Sequence, residues 1–350
     1  MQTNETTAPR ASRRDSIRAM LEVGIPGRWW AVTPSRYVRD KPIAVKALGH
    51  NLVVWRDADG VAHVQQDMCP HRGAKLSQGF VHEGRLTCWY HGVQIDGDGK
   101  IAAVPAYPDC PLVGKPGVKT YPCIERNEAI FAYFPSAAHP DPIPFELPPE
   151  FVSDEWSSFL CTAVWQCNYQ LALDNLVDPM HGSYLHAQSF TLAYGSKKDV
   201  MKVENTEHGF IVSRTGQRDV NFDWTEMCDT GAYWVRLDLP YPPAAGPGGL
   251  FRIIGFCTPL DADSCRVYFW RLRKVSGWQR DVWRFMYRNR LEERHWNVLE
   301  QDRVILEGIG HRPEREMLYQ HDIGVSQLRR ILQQDARAEL DAAKASEAAA

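Results

Sequence analysis

Residues 69–92 read CPHRGAKLSQGFVHEGRLTCWYHG: Cys69 and His71 form one arm, Cys88 and His91 the other, with sixteen residues between them. Two cysteines and two histidines so spaced are a metal site. A structural zinc ion takes the same ligand types, but zinc-finger spacing pairs Cys with Cys and His with His. Here each arm carries one of each, the pairing that lets two loops each reach both irons of a Rieske [2Fe–2S] centre, where two thiolates hold one iron and two imidazoles the other. Neutral imidazole in place of thiolate raises the potential, and the product is a one-electron carrier. Pro70, Gly73 and Gly92 supply the turns that such loops need.

The segment resembles the Rieske stretch of the large (alpha) subunit of ring-hydroxylating oxygenases. Respiratory Rieske proteins carry an extra cysteine in each loop, whereas Ala74, Trp89 and Tyr90 stand here. That points away from the respiratory type.

Outward from this stretch, composition sets broad limits. The chain has 350 residues, 44% hydrophobic and 24% charged, with a net charge of −3. It is long enough for two domains with buried cores, and it lacks the basic excess that nucleic acid or an anionic membrane would attract. There is no apolar run of bilayer length, and Met1 to Ser16 lacks the apolar stretch expected of a secretory signal. Ser12-Arg13-Arg14 hints at a twin-arginine signal, but Asp15, Arg18 and Glu22 follow where an uncharged core belongs. The expectation is a cytoplasmic protein. Nine cysteines scattered without a disulfide framework fit a reducing compartment. The seven outside the cluster (Cys110, Cys123, Cys161, Cys167, Cys228, Cys257 and Cys265) read as small core residues.

The pattern along the chain predicts an arm at 1–14 and an all-β domain over 15–134, with strand-like runs such as Asn51–Trp55 and Ala129–Tyr133. A proline-rich linker follows at 135–149. Strand candidates at 156–166, 209–215, 232–239, 250–258 and 266–274, a long helix over 277–308 and a final helix over 325–340 make 150–340 an α+β domain. In it an antiparallel sheet is covered by helices. The Ala-rich residues 341–350 read as a disordered tail.

A second constellation lies in this domain. Asp174, Asp178 and His181 are spaced i, i+4, i+7 on one helical face. His186 would point about 140° away from His181 in a regular helix. Both reach one metal only if the helix bends or ends between them, and Pro179 and Gly182 permit that. Two histidines and one carboxylate on an iron with open positions form the facial triad of non-haem Fe(II) oxygenases.

This segment resembles the iron-binding stretch of the same oxygenases. The resemblance implies that His181 and His186 are iron ligands. Asp178 is then a bridging carboxylate, bonded to His181 and, across a subunit boundary, to the cluster ligand His91; Asn175 is a polar neighbour of the iron. The third ligand is expected in the C-terminal helix at Asp302, with Glu300 and Glu307 as rivals. His295 and His311 have no motif support.

The resemblance further implies the alpha-only group typified by phthalate dioxygenase and vanillate demethylase. Such a chain is a terminal oxygenase using O2, a head-to-tail homotrimer, with electrons from NAD(P)H through a separate reductase, with or without ferredoxin. No dinucleotide fingerprint occurs in this chain, which agrees with a separate reductase. The implied substrates are aromatic, hydroxylated by cis-dihydroxylation or by mono-oxygenation with O-demethylation. Phe222, Trp224, Trp234, Phe251, Phe256 and Trp296 are pocket candidates, and Arg214, Arg236 or Arg252 a partner for a substrate carboxylate. The competing readings are a pure electron-transfer Rieske protein and a zinc-stabilised binding module.

Overall fold

A computed structural model describes residues 12–189, 192, 194–241, 248–310 and 315–349. Ser12 caps the first helix, α1 (Arg13–Val23), in a capping box with Asp15. Eleven short strands follow: β1 (Arg28–Pro34), β2 (Ile43–Ala47), β3 (His50–Arg56), β4 (Ala62–Gln66), β5 (Phe80–His82), β6 (Arg85–Thr87), β7 (Gln94–Ile95), β8 (Ile101–Ala103), β9 (Thr120–Tyr121), β10 (Cys123–Arg126) and β11 (Ala129–Phe134). They form three antiparallel sheets, ordered β1-β11-β10, β2-β3-β4-β9 and β5-β6-β7-β8. Local chemistry decides where strands end. The buried run Leu52–Trp55 stops at Asp57, whose carboxylate accepts from the amides of Asp59 (3.0 Å) and Val61 (2.9 Å) and turns the chain into β4.

The second domain is a seven-stranded antiparallel sheet in the order β12-β18-β17-β16-β15-β14-β13. Its strands are β12 (Trp156–Trp165), β13 (Met201–Thr206), β14 (Gly209–Arg214), β15 (Trp224–Asp229), β16 (Tyr233–Leu239), β17 (Phe251–Pro259) and β18 (Cys265–Lys274). Both faces are covered, as the apolar character of both phases of β18 predicts. Val267 and Phe269 pack with residues of α2 (Tyr169–Leu176), α5 (Glu292–Ile309) and α6 (Ile323–Ala349). Tyr268, Trp270 and Leu272 pack instead against Trp29, Phe131 and Tyr133 of the first domain. Burying each of these aromatics contributes roughly 2–3 kcal/mol, so this second face fastens the two domains together. The remaining helices are α3 (Gly182–Leu185) and α4 (Trp278–Met286).

The linker 135–149 is irregular as far as Pro148, then enters a tight turn at Pro149–Phe151. It is not a free spacer: Phe145 stacks on Trp29 at 6.1 Å and meets Phe131 at 5.1 Å. The helix expected over 277–308 is interrupted by a π-helical turn at Tyr287–Leu291.

Two terminal expectations need correction. Arg13 and Arg14 belong to α1 and not to an arm, while residues 1–11 lie outside the described residues. The final helix does not end at Leu340, and the expected disordered tail at 341–350 is helical through Ala349. An alanine-rich end is low in complexity but high in helix propensity, and Asp341 meets Arg13 at 2.7 Å in an exposed ion pair.

Candidate functional site

The two cluster arms are near copies of one loop. In each, the cysteine carbonyl accepts from a glycine amide four residues on, Gly73 to Cys69 and Gly92 to Cys88, both at 2.9 Å. These glycines have φ of +73° and +71°, a conformation that costs other residues about 1 kcal/mol or more. Asp67 braces the first loop by accepting from the Ser77 amide (2.7 Å) and hydroxyl (2.6 Å). The cysteines sit in the small core of Trp55, Leu76, Leu86 and Ile95, at 3% and 1% exposure. His71 and His91 are exposed, with ring centroids 4.7 Å apart.

Burial and the neighbouring Cys88 thiol push the Cys69 thiol up, opposed by nearby backbone amides. Two thiolates side by side in an apolar pocket therefore call for a bound cation. The four residues fit an iron–sulfur cluster entered from the histidine side.

The second site is built by α2, the turn after it, α3 and α5. Asn168 caps α2, accepting from the Gln170 amide at 3.0 Å. The helix ends at Leu176, and the single turn of α3 then separates His181 from His186. The break required by their 140° divergence is thus present.

Each imidazole is oriented by its Nδ1–H. His181 donates to the Asp178 backbone carbonyl (2.6 Å) and His186 to Gln301 Oε1 (2.9 Å). This leaves both Nε2 lone pairs facing Asp302 Oδ1, at 3.6 Å and 3.2 Å. The ligand atoms of His181, His186 and Asp302 all lie within 4.8 Å of one another, the spacing that a single metal ion requires. Asn175 donates to the same Asp302 oxygen at 3.2 Å. The rivals Glu300 and Glu307 are both engaged by Arg303 on the outer side of α5. Burial disfavours charge on His186, but Asp302 and Gln301 together raise its pKa above the ordinary value.

Asp178 differs from its expected bonding. Its carboxylate accepts from the Met180 amide (2.8 Å) and lies 3.9 Å from His181 Nδ1, because the nearer backbone carbonyl has taken that donor. Its side chain remains 27% exposed beside the site. Asp174 faces away from the histidines and is bound by Arg329 of α6 at 2.8 Å.

Of the six aromatic candidates, Phe222 meets the His181 ring at 5.3 Å. Phe251 and Trp296 lie on the helix-covered side, Phe251 packed with Trp283 and Trp296 stacked under the Arg271 guanidinium. Trp234 and Phe256 are corrected: the pleat turns them to the opposite face, with Phe256 5.5 Å from Phe131 of the first domain. Trp224 shares their phase and lines a cavity of about 710 Å³ with Asn221, Asp238 and Tyr241 at the sheet margin.

The three arginines proposed for a substrate carboxylate are satisfied within the chain. Arg214 is buried on Asp199 (3.1 Å), Arg236 pairs with Glu226 (2.6 Å), and Arg252 pairs with Asp238 (2.6 Å) and Glu150. His295 lies in the core beneath α5, while His311 is outside the described residues. Gln301 was missed because nothing in the sequence ties it to a histidine 115 positions away.

A Rieske-type loop pair joined to a helix-covered antiparallel sheet with a two-histidine, one-carboxylate site defines a two-domain oxygenase architecture. Residues 28–122 match the Rieske [2Fe-2S] domain and residues 165–338 the vanillate O-demethylase oxygenase C-terminal domain, and the chain belongs to the Rieske non-haem iron oxygenase family. It is 32% identical to the vanillate O-demethylase oxygenase subunit of Pseudomonas sp. (strain HR199 / DSM 7063) over 161 residues, 46% of this chain and 45% of that one. The match thus spans under half the length of that relative. The terminal oxygenase of carbazole 1,9a-dioxygenase from Nocardioides aromaticivorans IC177 has the same fold, with a TM-score of 0.77 at 19% identity over 93% of this chain and 98% of that one. A carbazole-bound oxygenase and ferredoxin complex of carbazole 1,9a-dioxygenase gives 0.75 at 18% identity, over 93% and 92%.

Proposed function

We propose that this chain is the terminal oxygenase component of a multi-component system that hydroxylates an aromatic substrate with O2. The observation that carries this is the convergence of His181 Nε2, His186 Nε2 and Asp302 Oδ1 on one point, with both Nδ1 atoms already committed elsewhere. An electron-transfer module would have no use for such a site. Bound here, a Rieske cluster supplies single electrons and a ferrous ion supplies open coordination positions for O2.

The protein's own part is to orient and to insulate. Cys69 and Cys88 hold the buried end of the cluster site, and His71 and His91 expose the other. The Asp178 carbonyl and Gln301 fix the two imidazoles of the iron site, and Asn175 fixes the Asp302 carboxylate. Phe222 packs edge-on against the His181 ring on one side. The partly exposed Asp178 carboxylate is the group we assign to meet His91 of a neighbouring copy, while the backbone carbonyl of the same residue holds His181, so that Asp178 links the two imidazoles in a head-to-tail homotrimer.

Electrons come from NAD(P)H through a separate reductase, with or without a ferredoxin; a protein electron donor is in keeping with the ferredoxin complex of the carbazole oxygenase. Among the described residues no helix is long and apolar enough to cross a membrane. We assign the protein to the cytoplasm. Substrates of the vanillate type, aromatic acids and aryl ethers, fit the relative's activity.

The test is product analysis with isotope-labelled O2 and a panel of aromatic acids and ethers, beside iron and sulfide counts. His181→Ala should lose the mononuclear iron and all product while keeping the rhombic signal of the reduced cluster. Full iron retention in that variant would leave an electron-transfer protein, and a colourless protein without that signal would leave a zinc module.

A further inference from the structure

Arg271 is on β18 in the phase of Val267 and Phe269, so its side chain enters the layer between the sheet and the helices. It is 1% exposed. A guanidinium is always charged and its burial is expensive unless an anion answers it, yet among the described residues no carboxylate pairs with it. Its Nη1 donates to the Tyr287 hydroxyl at 2.6 Å, its Nη2 has no hydrogen-bond partner, and its charge sits 5.3 Å over the Trp296 ring. Tyr287 itself is held in the π-helical turn, a distortion that is frequent at functional sites.

A second unanswered group adjoins it. His295 Nδ1 is buried without a partner, and burial, with Arg271 nearby, pushes this imidazole down to about 3, so it is neutral at pH 7. His295 and Asp302 are seven residues apart on α5 and share its face. They are separated by about 10 Å along the axis.

We infer that Arg271, framed by Tyr287 and His295, receives the carboxylate of an aromatic acid whose far end lies at the His181, His186 and Asp302 site. The reading rests on the oxygenase function proposed above and narrows its substrate class. A planar guanidinium with one free edge accepts a carboxylate by paired N–H donors. The neutral His295 ring can donate to the same anion without adding charge, and Trp296 covers the guanidinium from solvent. An aromatic ring that bears its carboxylate opposite the reacting group has the length to bridge the two ends of this face.

The test is anaerobic binding to the full-length, iron-loaded protein, read by tryptophan fluorescence. The probes are meta- and para-methoxybenzoate, each paired with the methoxytoluene of the same substitution. Wild-type protein should prefer the acids, and Arg271→Met should weaken them roughly 30-fold or more while changing the neutral ethers less than about twofold. Arg271→Lys, which keeps charge but loses the planar fork, should fall between. Because Arg271→Met removes an unanswered buried charge, its melting temperature without ligand should be no lower than wild type. Should the variant fail to fold, the wild-type melting temperature decides: a rise with the acids only supports the site, and equal shifts overturn it. Equal weakening of acids and ethers in Arg271→Met also overturns it. Wild-type product formation from the methoxytoluenes with O2 is scored separately and bears on the oxygenase reading alone.

Discussion

The side-chain amide of Asn175 donates to Oδ1 of Asp302 across 3.2 Å, and this is the same oxygen that the His186 Nε2 approaches to 3.2 Å. One atom is thereby shared between α2, the turn around α3 and α5. Loss of Asn175 frees the Asp302 carboxylate to rotate without removing any candidate ligand. Asn175→Ala should reduce affinity for ferrous iron about tenfold to a hundredfold. Iron content after dialysis against graded chelator checks this, with the cluster absorbance unchanged as the control.

The raised pKa of His186 sets a pH dependence for metal uptake. In the metal-free protein its folded pKa is above the unfolded value, so its charged form stabilises the fold at low pH, and that contribution is lost as pH rises through the folded pKa. Iron must displace this proton. Ferrous-ion affinity should therefore climb as pH increases from about 6 through the raised pKa, by up to roughly tenfold per unit, and level off above it. Titrations of metal-free protein at several pH values will show the rise, and Gln301→Leu should move it to lower pH.

Asp178→Asn keeps the side chain's shape and its bond to the Met180 amide while removing its charge. Both metal sites should remain filled. Oxidation of the reduced cluster by substrate and O2, followed by stopped-flow absorbance, should slow by at least tenfold. An unchanged rate would remove the bridging role.

Arg214 is a stability prediction. Its side chain is fully buried, with Asp199 at 3.1 Å and Asp223 at 3.8 Å, both almost as deeply buried. Arg214→Leu leaves these carboxylates without their cation and should cost about 3–5 kcal/mol. Denaturant unfolding of metal-free protein measures it.

Legibility in the sequence followed the range of the interaction. Cys69, His71, Cys88 and His91 were readable because their ligand types and spacing are local, and so was the helix break at His181 and His186, because at 100° per residue the two rings meet one metal only across a break. Asp302 was separated from Glu300 and Glu307 only in three dimensions, where Arg303 occupies both rivals. Trp234 and Phe256 misled because a strand with two apolar faces gives no sign of which face meets the helices. Arg271 carries a local signal of its own. It follows Val267 and Phe269 in one phase of β18, and a cation in an apolar phase is out of place unless something meets it.

The final helix, read from sequence as ending in a loose tail, touches the molecule at every turn or two. Arg329 binds Asp174 in α2, Asp335 binds Arg28 in β1 and the Tyr233 hydroxyl, Glu339 reaches His139 in the linker, and Asp341 meets Arg13 in α1. It works as a clasp whose first tooth closes on the helix that carries Asn175. An affinity tag or a trimmed C-terminus is then not a neutral handling choice: whatever loosens the clasp at Asp341 shortens the series of anchors that ends beside the metal.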